Sequence, residues 1–182
     1  FYEKIGETRD DAIGEVFDKI ARKLNLSYPG GPNIEKLGKN GDENAICFPM
    51  SKFEDDSLDF SYSGLKSYAL NYINQCELKN IKFSREDFCA SFQKTAVDML
   101  IKNVEKAINK DGIKTLCIVG GVSANGYLRE KFLNYFKCLK IYFPSKDLCT
   151  DNGAMIASAA YYSYLKNGRS EYSLNVSPSV KF

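Results

Sequence analysis

Apolar residues recur at helical spacing through the first two-thirds of the chain and then give way to short unbroken runs. Ile13, Val16, Phe17, Ile20 and Leu24 predict a helix over 10–24, with Asp10 and Asp11 at its start, where carboxylates suit the helix dipole. Tyr28-Pro29-Gly30-Gly31-Pro32 reads as a turn cluster, and 33–56 as a helical turn followed by polar loops. Residues 1–6 and 58–62 suggest strands. Leu65, Tyr68, Ala69, Tyr72 and Ile73 predict a short helix over 64–76. The clearest stripe, Phe88, Phe92, Ala96, Met99, Leu100, Val104 and Ala107, predicts a long helix over 84–110, N-capped by Ser84.

Beyond residue 110 the pattern changes. The apolar run Thr115–Val119 ends in Gly120-Gly121; a helix follows near 123–137, a second run over 139–143, and an alanine-rich helix over 151–166 closed by Gly168. Strand, helix, strand and helix joined by short loops imply a parallel βαβα unit, hence an α/β fold. The four alanines at 154, 157, 159 and 160 predict close packing against a neighbouring element. The tail from 170 onward is polar and expected to be extended. No internal repeat is visible.

Composition narrows the chemistry. The 182 residues carry a net charge of +2, too mild to argue for nucleic acid by itself. Six cysteines without a C-x-x-C pair, several in apolar runs, are expected to be buried reduced thiols of a cytoplasmic protein. No stretch reaches transmembrane length and no signal peptide is evident, so no membrane role is expected. There is no histidine, which excludes a Ser-His-Asp arrangement and an ordinary complete zinc site within this chain. The chain opens on Phe1-Tyr2-Glu3 rather than Met, so it is expected to be part of a longer one.

Four stretches could carry function. Gly120-Gly121-Val122-Ser123-Ala124-Asn125 lies between a strand and a helix, where paired glycines let a phosphate or sugar edge approach the backbone, or simply make a tight turn. It is neither a Walker A loop nor G-x-G-x-x-G. In Cys149-Thr150-Asp151-Asn152-Gly153, Asp151 follows a parallel strand, as an oxygen ligand to a metal or a residue favourable to a helix dipole; Thr150 is a possible cap. Gly14 and Asp18 are one turn apart and share a helix face, either a cradle for a ribose or a solvated acidic face. The Ser61-Tyr62-Ser63-Gly64 turn offers hydroxyls and N–H groups to an anion, or only caps a helix; Lys66 is read as solvated or salt-bridged.

Together with Tyr-Pro-Gly-Gly-Pro at 28–32, these stretches resemble, in order and spacing from residue 1 to about 166, the TsaD/Kae-type family of the ASKHA (actin-like, sugar-kinase-like) superfamily. The resemblance implies transfer of a threonylcarbamoyl group from threonylcarbamoyl-AMP to N6 of adenosine 37, in tRNAs reading codons that begin with A. It implies that Gly14, Asp18 and Asn125, with the Gly120-Gly121 loop, hold the adenylate, or ADP or ATP in its place, and that Asp151 ligates one divalent metal, iron or zinc. TsaB- and TsaE-type proteins are the implied partners. Segments joining two lobes would occupy 1–110, the nucleotide-binding C-terminal lobe 111–168 and an extended tail 169–182. The family's N-terminal lobe, its paired metal histidines and its phosphate loop would lie upstream of Phe1. A further substrate contact of the family would fall near Phe1, where a phenylalanine cannot fill a polar role. Another ASKHA ATPase or sugar kinase, the older metallo-endopeptidase label and a non-catalytic interaction module are the competing readings.

Overall fold

The computed structural model describes residues 2–51, 57–173 and 175. Six helices and two strands follow in the order α1 (Ile13–Lys23), α2 (Gly30–Gly38), α3 (Ser63–Leu78), α4 (Arg85–Asp111), β1 (Thr115–Cys117), α5 (Gly126–Tyr135), β2 (Lys140–Tyr142) and α6 (Gly153–Asn167).

Helix α4 organises the molecule. Ser84 Oγ accepts the Asp87 N–H at 3.0 Å to start it, and Gly112, at φ 64°, ends it in a left-handed conformation. Its first half packs α1, α2 and α3 around Phe88 and Phe92. Phe92 meets Phe17 edge to face at 5.2 Å and stacks on Phe88 at 6.4 Å. Burying one such ring contributes roughly 1.5–3 kcal/mol. Deep in this cluster, burial pushes the Cys89 thiol up to about 12. The second half of α4 carries Val97 and Ile101 into another cluster with Leu128, Phe132 and Phe136 of the βα unit.

Helix α2 includes the helical turn expected after residue 33 but begins earlier, inside the expected turn cluster. Pro32 stands in its first turn, where the backbone N–H has no intrahelical partner, so the ring removes nothing. Gly30 lets α2 seat on α1: a Cβ there would lie 2.7 Å from Asp18 Cα. Ile34 is then wholly buried. The strands expected at 1–6 and 58–62 reduce to one parallel bridge, Thr8 to Phe60, closed by Phe60 N–H to Glu7 O and Arg9 N–H to Phe60 O, both 2.8 Å. Phe1 lies outside the described residues.

Asp10 and Asp11 precede α1 instead of opening it, and they do not serve its dipole. The Ser61–Ser63 turn does hold an anion, and the anion is Asp10: its carboxylate accepts the N–H of Tyr62 at 2.8 Å and of Ser63 at 3.2 Å, and the hydroxyls of Ser61 and Ser63. Burial alone would raise the Asp10 pKa; these hydrogen bonds outweigh it and hold it below its ordinary value. Asp11 is held down by hydrogen bonds from Lys19 and Lys66, and Asp59 by Arg9 and the Glu7 N–H. A carboxylate whose folded pKa is depressed stabilises the fold above its unfolded pKa and loses that contribution as pH falls through the folded value. The melting temperature is therefore expected to fall steadily from about pH 5 to pH 3, the range over which unfolded carboxylates protonate. An Asp10→Asn, Asp11→Asn double variant, melted across the same range, should show a flatter slope.

The βαβα unit forms with shorter strands than the apolar runs. β1 and β2 are parallel, Leu116 opposite Ile141, and Ile118 N–H extends the ladder to Tyr142 O at 3.0 Å. Leu116, Ile118 and Ile141 pack on the α4–α5 cluster. The alternate residues Cys117 and Tyr142 face away, and Val119 is 74% exposed. Cys117, Cys47 and Cys138 are thus exposed, against the expectation of buried thiols; Cys76, Cys89 and Cys149 are buried, and all six are free. Asn152, rather than Thr150, caps α6, its Oδ1 accepting Met155 N–H at 3.0 Å. No residue of α6 is buried, and Ile156 and Leu165 are 61% and 62% exposed. The expected close packing of its alanines therefore has no partner among the described residues. Of the tail beyond Arg169, residues 170–173 and 175 are described, with a turn at 172–173; the rest lies outside the described residues. No described helix is long and apolar enough to cross a membrane.

Candidate functional site

The loop after β1 departs from simple strand-to-helix geometry. Gly120 takes φ 89°, a conformation that a side chain would strain, and Gly121–Ala124 form one 3-10 turn before α5 begins at Gly126. The free helix N-terminus expected at 123 is therefore displaced. Two of its donors are also occupied: Gly126 N–H gives a 2.9 Å bond to Glu35 Oε1, and Leu128 N–H a 2.8 Å bond to Asn125 Oδ1. Gly121 and Val122, the first residues of the 3-10 turn, keep N–H groups without an intrahelical partner.

Helix α1 brings Gly14 and Asp18 to face this loop. Without a side chain at Gly14, the space toward Val122 stays open; a Cβ would already lie 3.4 Å from Val122 Cγ2. Asp18 is tied by one oxygen, Oδ1, to Gly30 N–H at 2.7 Å, which fixes its direction and leaves Oδ2 as an acceptor. Between α1 and the loop lies a cavity of about 710 Å³, lined among others by Ile13, Gly14, Phe17, Asp18, Gly120, Gly121 and Asn125. Five sequence-derived candidates from two distant segments thus share one space. Its walls are largely apolar, as a nucleobase needs, with Asp18 and the loop N–H groups at the polar edge.

Asn125 is buried and largely committed. Besides capping α5, its Nδ2 donates to Gln93 Oε1 at 2.9 Å, which leaves one amide hydrogen for a ligand. Nearby, Glu43 accepts from Tyr127 Oη at 2.7 Å and Lys131 Nζ at 2.9 Å. Burial pulls the Glu43 carboxyl up, and these two bonds pull it back below its ordinary value. The Tyr127 hydroxyl is pushed far up by burial and by Glu43. The network pins α5 and hence the loop. Glu35, Gln93 and Arg129 were not singled out from sequence. Each acts through a tertiary hydrogen bond, which local pattern does not reveal.

Asp151 stands just before the cap of α6, exposed, on a second cavity of about 800 Å³ with Val119, Gly120, Gly121, Cys149 and Thr150. Val119, Gly120, Gly121 and Thr150 line both cavities, so the two adjoin across the glycine loop. Asp151 offers a single carboxylate. Among the described residues no three His, Cys, Asp or Glu side chains converge as a metal site. The donor set of the described residues therefore does not fit a transition metal on its own.

A model of the TsaD family, tRNA N6-adenosine threonylcarbamoyltransferase, matches residues 1–158. The chain is 51% identical over 183 residues to a relative of that name from Clostridium novyi, and 49% identical over 182 residues to one from Clostridium beijerinckii. In both cases 99% of this chain is covered and 54% of the relative. The chain spans about half the length of the curated relatives it matches.

Proposed function

The chain belongs to the TsaD family of tRNA N6-adenosine threonylcarbamoyltransferases, and from that premise we propose that it forms the adenylate-holding part of an enzyme that makes threonylcarbamoyladenosine at position 37 of tRNA. The observation that carries the reading is the one cavity lined by Gly14, Asp18, Gly120, Gly121 and Asn125. In this reading Ile13, Phe17 and Val122 take the adenine face. Asp18 Oδ2 accepts from the ribose hydroxyls, and the N–H groups of Gly121 and Val122 meet the phosphate. The single free amide hydrogen of Asn125 adds one further contact.

The reaction needs the donor held still. Adenosine N6 attacks the carbamoyl carbon, the C–O bond to phosphate breaks, AMP leaves and N6 gives up a proton. Holding the leaving nucleotide at two segments lowers the entropic part of the barrier by several kcal/mol, on the order set by intramolecular reactions. No side chain of this chain is assigned as nucleophile. Asp151 is one prospective ligand of the divalent metal, iron or zinc, that the family resemblance implies. Since the residues here do not complete that site, no step is derived through it.

The rest of an ASKHA fold, of the length that relatives carry beyond this chain, would supply the other ligands and cover α6 and the open face of β1 and β2. TsaB- and TsaE-type proteins, tRNA and a cytoplasmic setting complete the proposal. The test joins this chain to the part of the Clostridium novyi relative that it does not cover, giving a completed protein. With threonylcarbamoyl-AMP and unmodified tRNA, nucleoside mass spectrometry should detect threonylcarbamoyladenosine, and the 182-residue chain alone should form none. Hydrolysis of ATP with unmodified tRNA would instead support an ATPase or sugar-kinase relative.

A further inference from the structure

We infer that Arg129 is a positioning residue that locks the glycine loop to the segment carrying Asp151; the inference rests on the proposed function for what those two segments hold. Arg129 sits in α5 one turn after Asn125, its own N–H donating to Asn125 O at 3.2 Å. Its guanidinium reaches out of the helix and touches both segments at once. Nε donates to Ser123 O at 2.6 Å, inside the loop. Nη2 donates to Pro144 O at 2.6 Å and to Cys149 Sγ at 3.3 Å, inside the segment that leads to Asp151. Its Cζ lies over Phe143, 5.0 Å from the ring centroid, a cation–π contact that adds to the hold on the group.

The two segments are also joined directly beneath it. Ser123 Oγ donates to Cys149 Sγ at 3.2 Å, and the thiol in turn reaches Ser145 O at 3.3 Å. Ser123 is 1% and Cys149 4% exposed. The loop follows β1 and the 143–149 segment follows β2 at the same end of the parallel pair, and the hydrogen bonds that tie them together run through Arg129, Ser123 and Cys149. A planar fork with five fixed donors can serve three acceptors from one position; a lysine, with one compact charge, cannot hold the same three together. Asp151 lies two residues past Cys149, so the brace sets where the Asp151 carboxylate stands relative to the adenylate loop.

Loosening this brace leaves each half of the site able to bind and puts the halves out of register. Arg129→Lys in the completed protein should therefore keep its AMP Kd within about threefold and lower kcat by roughly 30–100-fold, the scale on which a small misplacement of reactants acts. Metal content should be unchanged. A purely structural role would lower the melting temperature and leave kcat per folded molecule intact, which overturns the inference. A second readout does not depend on transfer. AMP bound at the loop should slow alkylation of Cys149, followed by peptide mass spectrometry, in the wild type and have no such effect in Arg129→Lys. If AMP protects Cys149 equally in both, the coupling does not run through Arg129 and the inference fails. If the wild type makes no threonylcarbamoyladenosine but shows this Arg129-dependent protection, the proposed reaction fails and the brace stands.

Discussion

Gly121→Phe in the completed protein is expected to raise the AMP Kd more than about 100-fold, equivalent to some 2.7 kcal/mol, while leaving the melting temperature nearly unchanged. A Cβ on Gly121 would meet only Thr150 Cγ2, at 4.0 Å, so the position opens into space and not into backbone. Its φ is not in the left-handed region, unlike that of Gly120 at 89°, so the chain accepts a side chain without strain. The ring would enter the junction that Gly121 and Thr150 share between the two cavities, where the phosphate side of the nucleotide is proposed to lie. Gly120→Ala is the contrasting variant: it should cost stability, on the order of 1–3 kcal/mol for a residue forced into a sparse conformation. Calorimetric titration with AMP and thermal melting separate the two effects. Unchanged affinity in Gly121→Phe would reduce the loop to a turn.

Asp151→Ala in the completed protein is expected to lose bound metal and transfer activity together, with stability changed by no more than about 1 kcal/mol, the scale of a charge near a helix N-terminus. The structure supports the small stability effect. Asp151 is exposed and stands outside α6, whose cap is made by Asn152, so its removal uncaps nothing. The 182-residue chain by itself should purify with little stoichiometric metal, because one carboxylate cannot hold a transition metal without further ligands. Elemental analysis beside the tRNA assay decides the matter. Full metal content with normal transfer would make Asp151 a helix-terminal charge and nothing more.

Sequence reasoning did best where local pattern and tertiary need coincide. The first half of the stripe, Phe88, Phe92, Ala96 and Met99, describes the face of α4 that meets the first cluster, whereas Val97 and Ile101, buried in the second cluster, lie off the stripe on an adjoining face. The parallel βα unit was legible from two apolar runs and a glycine turn. Helix α2 was legible only as a helical turn after residue 33: Pro29-Gly30-Gly31-Pro32 reads as a break, yet prolines are tolerated where a helix starts and Gly30 is needed for contact with α1. The strand at 58–62 was overstated, since alternation over five residues is satisfied by one bridge. Asp10 and Asp11 were assigned to the nearest helix; Asp11 does pair with Lys19 of that helix, but the other partners lie some 50 residues away at Ser61, Ser63 and Lys66. The same limit applies to the site. Gly14, Asp18 and the loop glycines carry a local signature, but Glu35 holds Gly126 across 91 positions and Gln93 holds Asn125 across 32. Such pairings leave no periodic trace.

The nucleotide is proposed to sit in the cavity between α1 and the glycine loop. Amide chemical-shift mapping of the completed protein during AMP titration tests it most directly. Saturable shifts are expected at Gly14, Asp18 and Gly120 through Gly126, abolished together by Gly121→Phe. Saturable shifts confined to another face of the molecule, with these residues unmoved, would contradict it.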